Sequence, residues 1–579
     1  MRILLLTHAF NSLAQRFWVE LTEAGHDVSV ELDINDRVTA EAIALWDPEL
    51  VVAPFLKRRI PESVWRHRRC LVIHPGIRGD RGPSALDWAI SDGETTWGVT
   101  ALEANAEMDA GDVWASVDFP MRAATKSSLY RNEVADAAVA ALRIALSRMA
   151  RGERPTPLAA ATPGVRGRLR PPMRQSDRAI DWHVDNTSAV LRKIRAADGS
   201  PGVLDEVLGV PVRLFEAHPE GRLRGPAGGV VATRDGAILR ATIDGAVWLT
   251  HLEDAGHDPR FKLPATSVLG DRLASVPEAP LSATAVVDYP TWRPIRYEEE
   301  GAVGYLHFPF CNGAMGTAQC ERLREALAYA KSRPTRVIAL MGGPDFWSNG
   351  IHLNLIEASD HPAEESWRNI NAMDDLVREI VLTDRQLTIA ALHGNAGAGG
   401  VFLALAADRV YARDGVVLNP HYKGMGNLYG SEYWTYLLPR RVAPADVAAL
   451  TQNRLPIGTR RAKEIGLVDD RFGATIAAFR AEVEARARAL AGDPAHALLL
   501  RDKGARRESD EKAKPLDAYR AEELERMKLN FFGFDPSYHV ARFHFVCKVP
   551  RSRTPSHLAR HRANRTPPAI ARPFPAAAD

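Results

Sequence analysis

Three groups of residues in this chain have types and spacings that can do chemistry. The first is a pair of glycine-marked turns, LMGGPDFWSNGIHL at Leu340–Leu353 and LHGNAGAGGVFL at Leu392–Leu403. Each follows a short apolar run that reads as a strand, and each precedes a segment with helical spacing. Glycine lets backbone approach a ligand closely, and a helix start leaves N–H groups unpaired. Two such turns can aim two N–H donors at one oxygen, an oxyanion hole in which each donor is worth about 10²–10³ in rate. The bland alternative is that the glycines only permit tight helix–sheet packing. Gly394, Gly397 and Gly400 also loosely match a dinucleotide fingerprint, but the acidic residue that motif needs is not clear. A Walker-type GK[ST] is absent as well.

The second group is His74 in IHPGIRGDRGPSALDWAI (Ile73–Ile90), followed downstream by EMDAGDV (Glu107–Val113). A histidine at a strand's carboxyl end before a proline–glycine loop is placed for proton transfer. Asp109, in a second loop, can orient and charge-stabilise it. The plain alternative is a histidine packed at a loop base and an aspartate serving a turn. The third group is LNPHYKGMGNLYGSEYWTYLLP (Leu418–Pro439), dense in Tyr, Trp and His with one glutamate. An apolar wall raises a carboxyl pKa by desolvation and readies it for acid–base work. Tyr422 and Glu432 are the acid–base candidates, against a reading in which the tyrosines pack and Glu432 merely starts a helix.

The elements around these groups set the domain plan. At 579 residues the chain is long enough for three or four domains, and 46% hydrophobic with 25% charged residues is ordinary globular composition. A net charge of +2 gives no whole-chain argument for nucleic acid or membrane. The four cysteines have no CxxC spacing and read as reduced thiols, without a zinc ribbon or disulfide framework. No clean apolar run of about 18 residues exists, so no transmembrane helix and a cytoplasmic location are expected. Residues 1 to about 150 alternate strands (Ile3–Leu6, Val28–Leu32, Leu50–Ala53, Cys70–Ile73) with helices, which predicts a doubly wound parallel sheet with ligands at its carboxyl ends. A basic, proline-rich stretch at 146–178 reads as a surface linker, with anion binding as its second reading. Short strands at 179–270 predict a small β-barrel. A linker at 276–295 precedes a third domain at 296–548 with trailing charged helices, and the basic tail 549–579 is expected to be disordered.

The paired turns together with RAKEIGLVDD (Arg461–Asp470) resemble the crotonase (enoyl-CoA hydratase/isomerase) family over about residues 295–480. That resemblance implies a coenzyme A thioester ligand and places the oxyanion hole at the N–H groups of Ile351 and Gly399. The hydratase's first glutamate falls on Phe402 and its second on His421 or Tyr422, so the cradle is kept while the hydration acids are lost. The His74 region with its downstream DAGD is similar to the 10-formyltetrahydrofolate-dependent formyltransferases. In them the histidine and second-loop aspartate, here His74 and Asp109, carry formyl transfer. The family's asparagine two residues before the histidine is Val72 here. By the same resemblance Phe55 and Leu56 line the pterin. The features IDW, IRA and PG after residue 179 resemble the OB-like C-terminal domain of methionyl-tRNA formyltransferases.

The fold implied is therefore multidomain α/β: a Rossmann-like formyltransferase domain (1–170), an OB-like barrel (171–275) and a crotonase-like spiral of ββα units with trailing helices. The combination, with AFNSLAQR (Ala9–Arg16), PFLK (Pro54–Lys57) and NPHYKGMGNLYGSEYW (Asn419–Trp434), resembles the HypX (HoxX) family of nickel–iron hydrogenase maturation factors. That resemblance implies synthesis of carbon monoxide for the hydrogenase iron: formyl transfer from 10-formyltetrahydrofolate to coenzyme A, then decarbonylation of formyl-CoA by a lyase step. Arg131, Ser200 and Arg542 are the coenzyme A contacts it suggests, and the partners are small-molecule substrates and hydrogenase maturation proteins, with no metal ligand set. Two other classes stay open, a plain formyltransferase making formyl-CoA or formyl-tRNA and a non-catalytic maturation scaffold.

Overall fold

The computed structural model describes residues 1–158 and 165–563. The first sheet is built from β1 (Arg2–Thr7), β2 (Asp27–Leu32), β3 (Leu50–Phe55), β4 (Cys70–His74), β5 (Thr96–Glu103) and β6 (Val113–Pro120), in the order β2-β1-β3-β4-β5-β6. β1, β3 and β4 contain unbroken apolar runs because helices cover both faces of the parallel half, leaving Ile3, Leu5, Val51, Val52 and Leu71 fully buried. The all-parallel expectation is corrected here: β4 pairs β5, and β5 pairs β6, antiparallel. The hand of that pairing is set by long-range registry such as His74 opposite Thr100, which local pattern does not encode.

The second domain is an antiparallel sheet of β7 (Val203–Val207), β8 (Val210–Glu220), β9 (Val230–Arg234), β10 (Ala237–Ala241), β11 (Ala246–Asp254) and the short β12 (Leu263–Pro264). Its ladders run β7-β8-β11-β10-β9, with β12 paired to β11. The expected linker 146–178 is partly neither linker nor solvated charge. The helix Ala135–Ala150 takes its first residues, while Gly167 packs against Gly79 and Asp80 in the loop after β4. Arg170 and Arg178 are buried and paired to carboxylates, Arg170 to Asp92 at 2.6 Å and Arg178 to Asp87 at 3.2 Å.

The third domain repeats one unit. β13 (Arg296–Glu300), β14 (Val303–His307), β15 (Val337–Gly342), β17 (Leu387–Leu392), β19 (Arg409–Arg413) and β22 (Asp470–Phe472) form one sheet. β16 (Phe346–Ser348), β18 (Asn395–Gly397), β20 (Val417–Asn419) and β21 (Ile457–Gly458) form a second. Each of the pairs β15/β16, β17/β18 and β19/β20 gives one strand to each sheet, so the chain winds as a spiral and brings the two glycine turns side by side. The helices Leu516–Phe532 and Ser537–Val546 close this domain, with Leu516, Met527, Phe531 and Tyr538 in its core. No helix among the described residues is long and apolar enough to cross a membrane.

The expectation of a disordered tail is corrected for residues 550–563; residues 564–579 lie outside the described ones. The segment folds back onto β2, the open edge of the first sheet. Val30 N donates to Leu558 O at 3.0 Å and Leu32 N to Thr554 Oγ1 at 2.8 Å. His561 Nε2 lies 2.8 Å from the buried Glu31 carboxylate, which Arg562 also pairs at 2.7 Å. Burial alone would raise the Glu31 pKa, but its bonds to His561, Thr554 and Arg562 hold it below the ordinary value. The polar and basic composition suggested solvation, whereas His561 and Arg562 meet Glu31 and Arg560 pairs with Asp27 at 2.6 Å, along a strand edge that needs covering. A chain ending at Val549 uncovers that edge and loses the buried Leu558, a side chain worth about 1.5–3 kcal/mol. We expect a lower thermal midpoint and concentration-dependent aggregation, read by differential scanning fluorimetry and light scattering; an unchanged midpoint would contradict the assigned role.

Candidate active sites

The first site sits at the carboxyl end of β4. His74 is buried, and its Nε2 donates to Asp80 Oδ2 at 2.9 Å while Nδ1 lies 3.5 Å from Asp109 Oδ2. The ring is thus held between two carboxylates. Asp80 is the nearer, and the sequence reading missed it. Asp80 is buried in turn, 3.3 Å from Arg170 Nε, whose guanidinium lies over Trp97. Gly76 is required, because a Cβ there would stand 2.4 Å from His74 Nε2 and 2.6 Å from Asp80 Oδ2. Thr100 Oγ1 donates to Gly76 O at 2.8 Å and Trp97 Nε1 to Pro75 O at 2.9 Å, which fixes the loop. Asp109 has left-handed backbone, φ 58°, and its carboxylate accepts from Gly82 N at 3.4 Å. A carboxylate on Nε2 fixes the tautomer and leaves Nδ1 as the proton acceptor, toward Asp109. Phe55 lies at the end of β3 with its ring 6.3 Å from that of Tyr130, and Leu56 is half-buried beside it.

The second site is the meeting of the two glycine turns. A Cβ on Gly350, whose φ is +81°, would lie 3.4 Å from Gly399 N. Among the described residues neither Ile351 N nor Gly399 N has an acceptor. Gly399 is the first residue of the helix Gly399–Leu405, so its amide is free by position. Ala398, just before it, is held at φ 47°.

Glu432 closes over this cradle. A Cβ on Gly399 would stand 2.0 Å from Glu432 Oε1, so the carboxyl occupies the space a side chain would fill. Tyr422 Oη donates to Glu432 Oε2 at 2.6 Å. Phe402, at the position of the lost hydratase acid, is fully buried and stacks on Tyr422 with ring centroids 5.4 Å apart. Glu432 and Tyr433 both have left-handed backbone, φ 59° and 57°. Such strain in two adjacent non-glycine residues persists only where surroundings over-determine it. Asp374 and Glu523 supply those surroundings. Glu432 N donates to Asp374 Oδ1 at 2.8 Å, Ser431 Oγ to Asp374 Oδ2 at 2.8 Å, and Tyr433 N to Glu523 Oε2 at 2.9 Å. Burial, reinforced by Asp374, pushes the Glu432 pKa up to about 8. Burial also raises Asp374 and Glu523, and burial with the adjacent Glu432 raises Tyr422.

The three suggested coenzyme A contacts lie apart. Arg131, on the first domain, faces the third: its guanidinium is 4.6 Å from the Phe346 ring and donates to Asn312 Oδ1 at 3.3 Å. Ser200 is exposed at the second domain's edge, and its carbonyl accepts from Lys126 Nζ at 2.7 Å. Arg542 is buried on the helix Ser537–Val546 and pairs with Glu357 at 2.7 Å, with no contact to the other two. Between the first and third domains a pocket is lined by Arg16, Arg131, Asn132, Asp345, Asn395 and Arg413. Ser128 Oγ donates to Asp345 at 2.6 Å and Arg413 Nη2 to Asn132 Oδ1 at 2.9 Å, so this junction is polar and built by both domains.

Comparison with known proteins follows the same division. The formyl transferase family matches residues 29–146, the formyl transferase C-terminal domain 172–260, and enoyl-CoA hydratase/isomerase 301–525. The hydrogenase maturation factor HoxX of Bradyrhizobium diazoefficiens is 54% identical over 568 residues, covering 98% of both chains. The crystal structure of HypX from Aquifex aeolicus in complex with tetrahydrofolic acid superposes with a TM-score of 0.94 at 51% identity, over 97% of this chain and 99% of that one. The methionyl-tRNA formyltransferase of Dechloromonas aromatica is 25% identical over 235 residues, 40% of this chain and 74% of its own.

Proposed function

Because the chain belongs to the HoxX (HypX) family of hydrogenase maturation factors, we propose that it makes carbon monoxide from the formyl group of 10-formyltetrahydrofolate in two steps. In the first, the thiol of coenzyme A attacks the formyl carbon. His74 takes the thiol proton at Nδ1 and passes it to the departing folate nitrogen, with Asp80 orienting the ring and Asp109 stabilising its charged form. The products are formyl-CoA and tetrahydrofolate, the compound named with the Aquifex relative's structure. In the second step the amides of Ile351 and Gly399 hold the thioester oxygen. The Glu432 carboxylate takes the formyl hydrogen as a proton, the carbon–sulfur bond breaks, and the thiolate leaves and is reprotonated. CO and coenzyme A result, with no oxidant or reductant needed.

The observation that carries this reading is the position of Glu432 against Gly399, a carboxyl group in the space a side chain on Gly399 would fill. In a hydratase-like cradle a base there meets the carbonyl carbon's own hydrogen. Phe402 and Tyr422 wall the site apolar, which disfavours hydrolysis of formyl-CoA to formate. Arg131, which faces the third domain from the first, is the contact this reading assigns to coenzyme A. The test is CO release by the purified chain with 10-formyltetrahydrofolate and coenzyme A, read by the Soret shift of reduced haemoglobin. CO that depends on both substrates supports the reading; formyl-CoA or formate without CO overturns it.

A pH dependence follows. With its pKa raised to about 8, first by burial and then by Asp374, Glu432 is protonated below that pH and accepts a proton only above it. The decarbonylation rate should therefore rise with pH and level off above about 8. Asp374→Asn removes a like charge, so that limb should move to lower pH, while formyl transfer keeps its own profile. A limb that stays in place in Asp374→Asn would remove Glu432 as the titrating base.

A further inference from the structure

One cluster of ligating side chains takes no part in either step. Glu216 on β8, His251 on β11 and Cys311 at the start of the short turn Cys311–Gly313 bring a carboxylate oxygen, an imidazole nitrogen and a sulfur within 4.8 Å of one another. Two of these come from the second domain and one from the third. In regular pairing β11 sets His251 opposite Phe215, and Glu216, the next residue, would face the other side of the sheet. It does not, because Glu216 has left-handed backbone, φ 50°, and that twist turns its side chain to the His251 face. Left-handed conformation at a non-glycine residue within a strand is uncommon, and such outliers concentrate at functional sites. His251 Nδ1 lies 2.8 Å from Thr250 Oγ1, which orients the ring and leaves Nε2 for the cluster.

We propose that Glu216, His251 and Cys311 form a divalent-cation site, fitted to zinc, that clasps the second domain to the third. Sulfur, imidazole and carboxylate are the zinc donor set, and three protein ligands leave a fourth position for water or a thiolate. The surrounding charges are compatible. Lys262 is one nearby cation, and its Nζ lies 3.2 Å from Asp198 Oδ1, which offsets its charge. His218, Arg195 and His352 also face this region. A thiolate and a carboxylate then balance the two charges of the ion.

Full-length protein stripped with chelator and titrated with Co²⁺ tests this. The expected result is one high-affinity Co²⁺ per chain, a thiolate-to-cobalt charge-transfer band in the near ultraviolet, visible bands of four-coordinate intensity, and displacement by Zn²⁺. Cys311→Ser should abolish the charge-transfer band, and His251→Gln should weaken binding more than about tenfold. Absence of the band from the unsubstituted protein overturns the proposal whether or not the variants fold. So does a band that persists in Cys311→Ser, which would assign the sulfur to Cys70, Cys320 or Cys547.

Discussion

Glu432→Gln is expected to lower CO formation by about 10²–10⁴-fold, the usual loss when a positioned base is removed, and to let formyl-CoA accumulate. Glutamine keeps the volume over Gly399 and can still accept from Tyr422 Oη, now 2.6 Å from Glu432 Oε2. It removes a buried group with a raised pKa rather than a paired charge, so the fold should tolerate it. The contrast with the first step is the informative part: tetrahydrofolate formation should continue at close to the unsubstituted rate, because His74 and its partners belong to another domain. Parallel monitoring of CO and tetrahydrofolate makes the check. Equal loss of both products would mean that Glu432 supports the whole molecule rather than the second reaction.

His74→Ala should produce the mirror image. Formyl transfer falls by about 10²–10⁴-fold, and CO from 10-formyltetrahydrofolate falls with it. Formyl-CoA supplied directly should restore CO, because the second centre is intact. The substitution also leaves Asp80 buried without its imidazole partner, though Arg170 Nε remains 3.3 Å away. Some loss of stability is therefore expected, and rescue by formyl-CoA separates it from loss of chemistry. Failure of rescue in a folded variant would contradict the division of labour between the domains.

Much of this was legible in the chain, for identifiable reasons. β1, β3 and β4 appear as apolar runs because parallel strands are buried on both faces. The two glycine turns are visible because close approach of backbone to backbone excludes a Cβ: one on Gly400 would stand 2.0 Å from Ser348 O. Tyr422 and Glu432 stood out by their aromatic company, and the structure brings them into contact. Asp80 was not legible. It lies six residues after His74 in a glycine-rich loop, and only the fold of that loop carries it to Nε2.

Asp374 and Glu523 were missed for a related reason, since charged helices read as solvated faces. Asp374 did leave a trace: with Ile370, Met373 and Val377 it shares the apolar stripe of the helix Pro362–Val381, where a carboxylate has no place unless something pairs it. Glu523 acts across about ninety residues of sequence, and no local pattern places it against Tyr433 and Thr435. The tail and the antiparallel half of the first sheet failed alike, because strand edges and registry are settled between distant segments.

The most direct test is to follow one carbon. The full chain would be given 10-[¹³C]formyltetrahydrofolate with coenzyme A well below the donor concentration, and the gas and solution would be analysed together. The two-centre account predicts ¹³CO in amounts matching the tetrahydrofolate formed, with coenzyme A turned over many times. Label recovered as formate or held as formyl-CoA, with no ¹³CO, would contradict it.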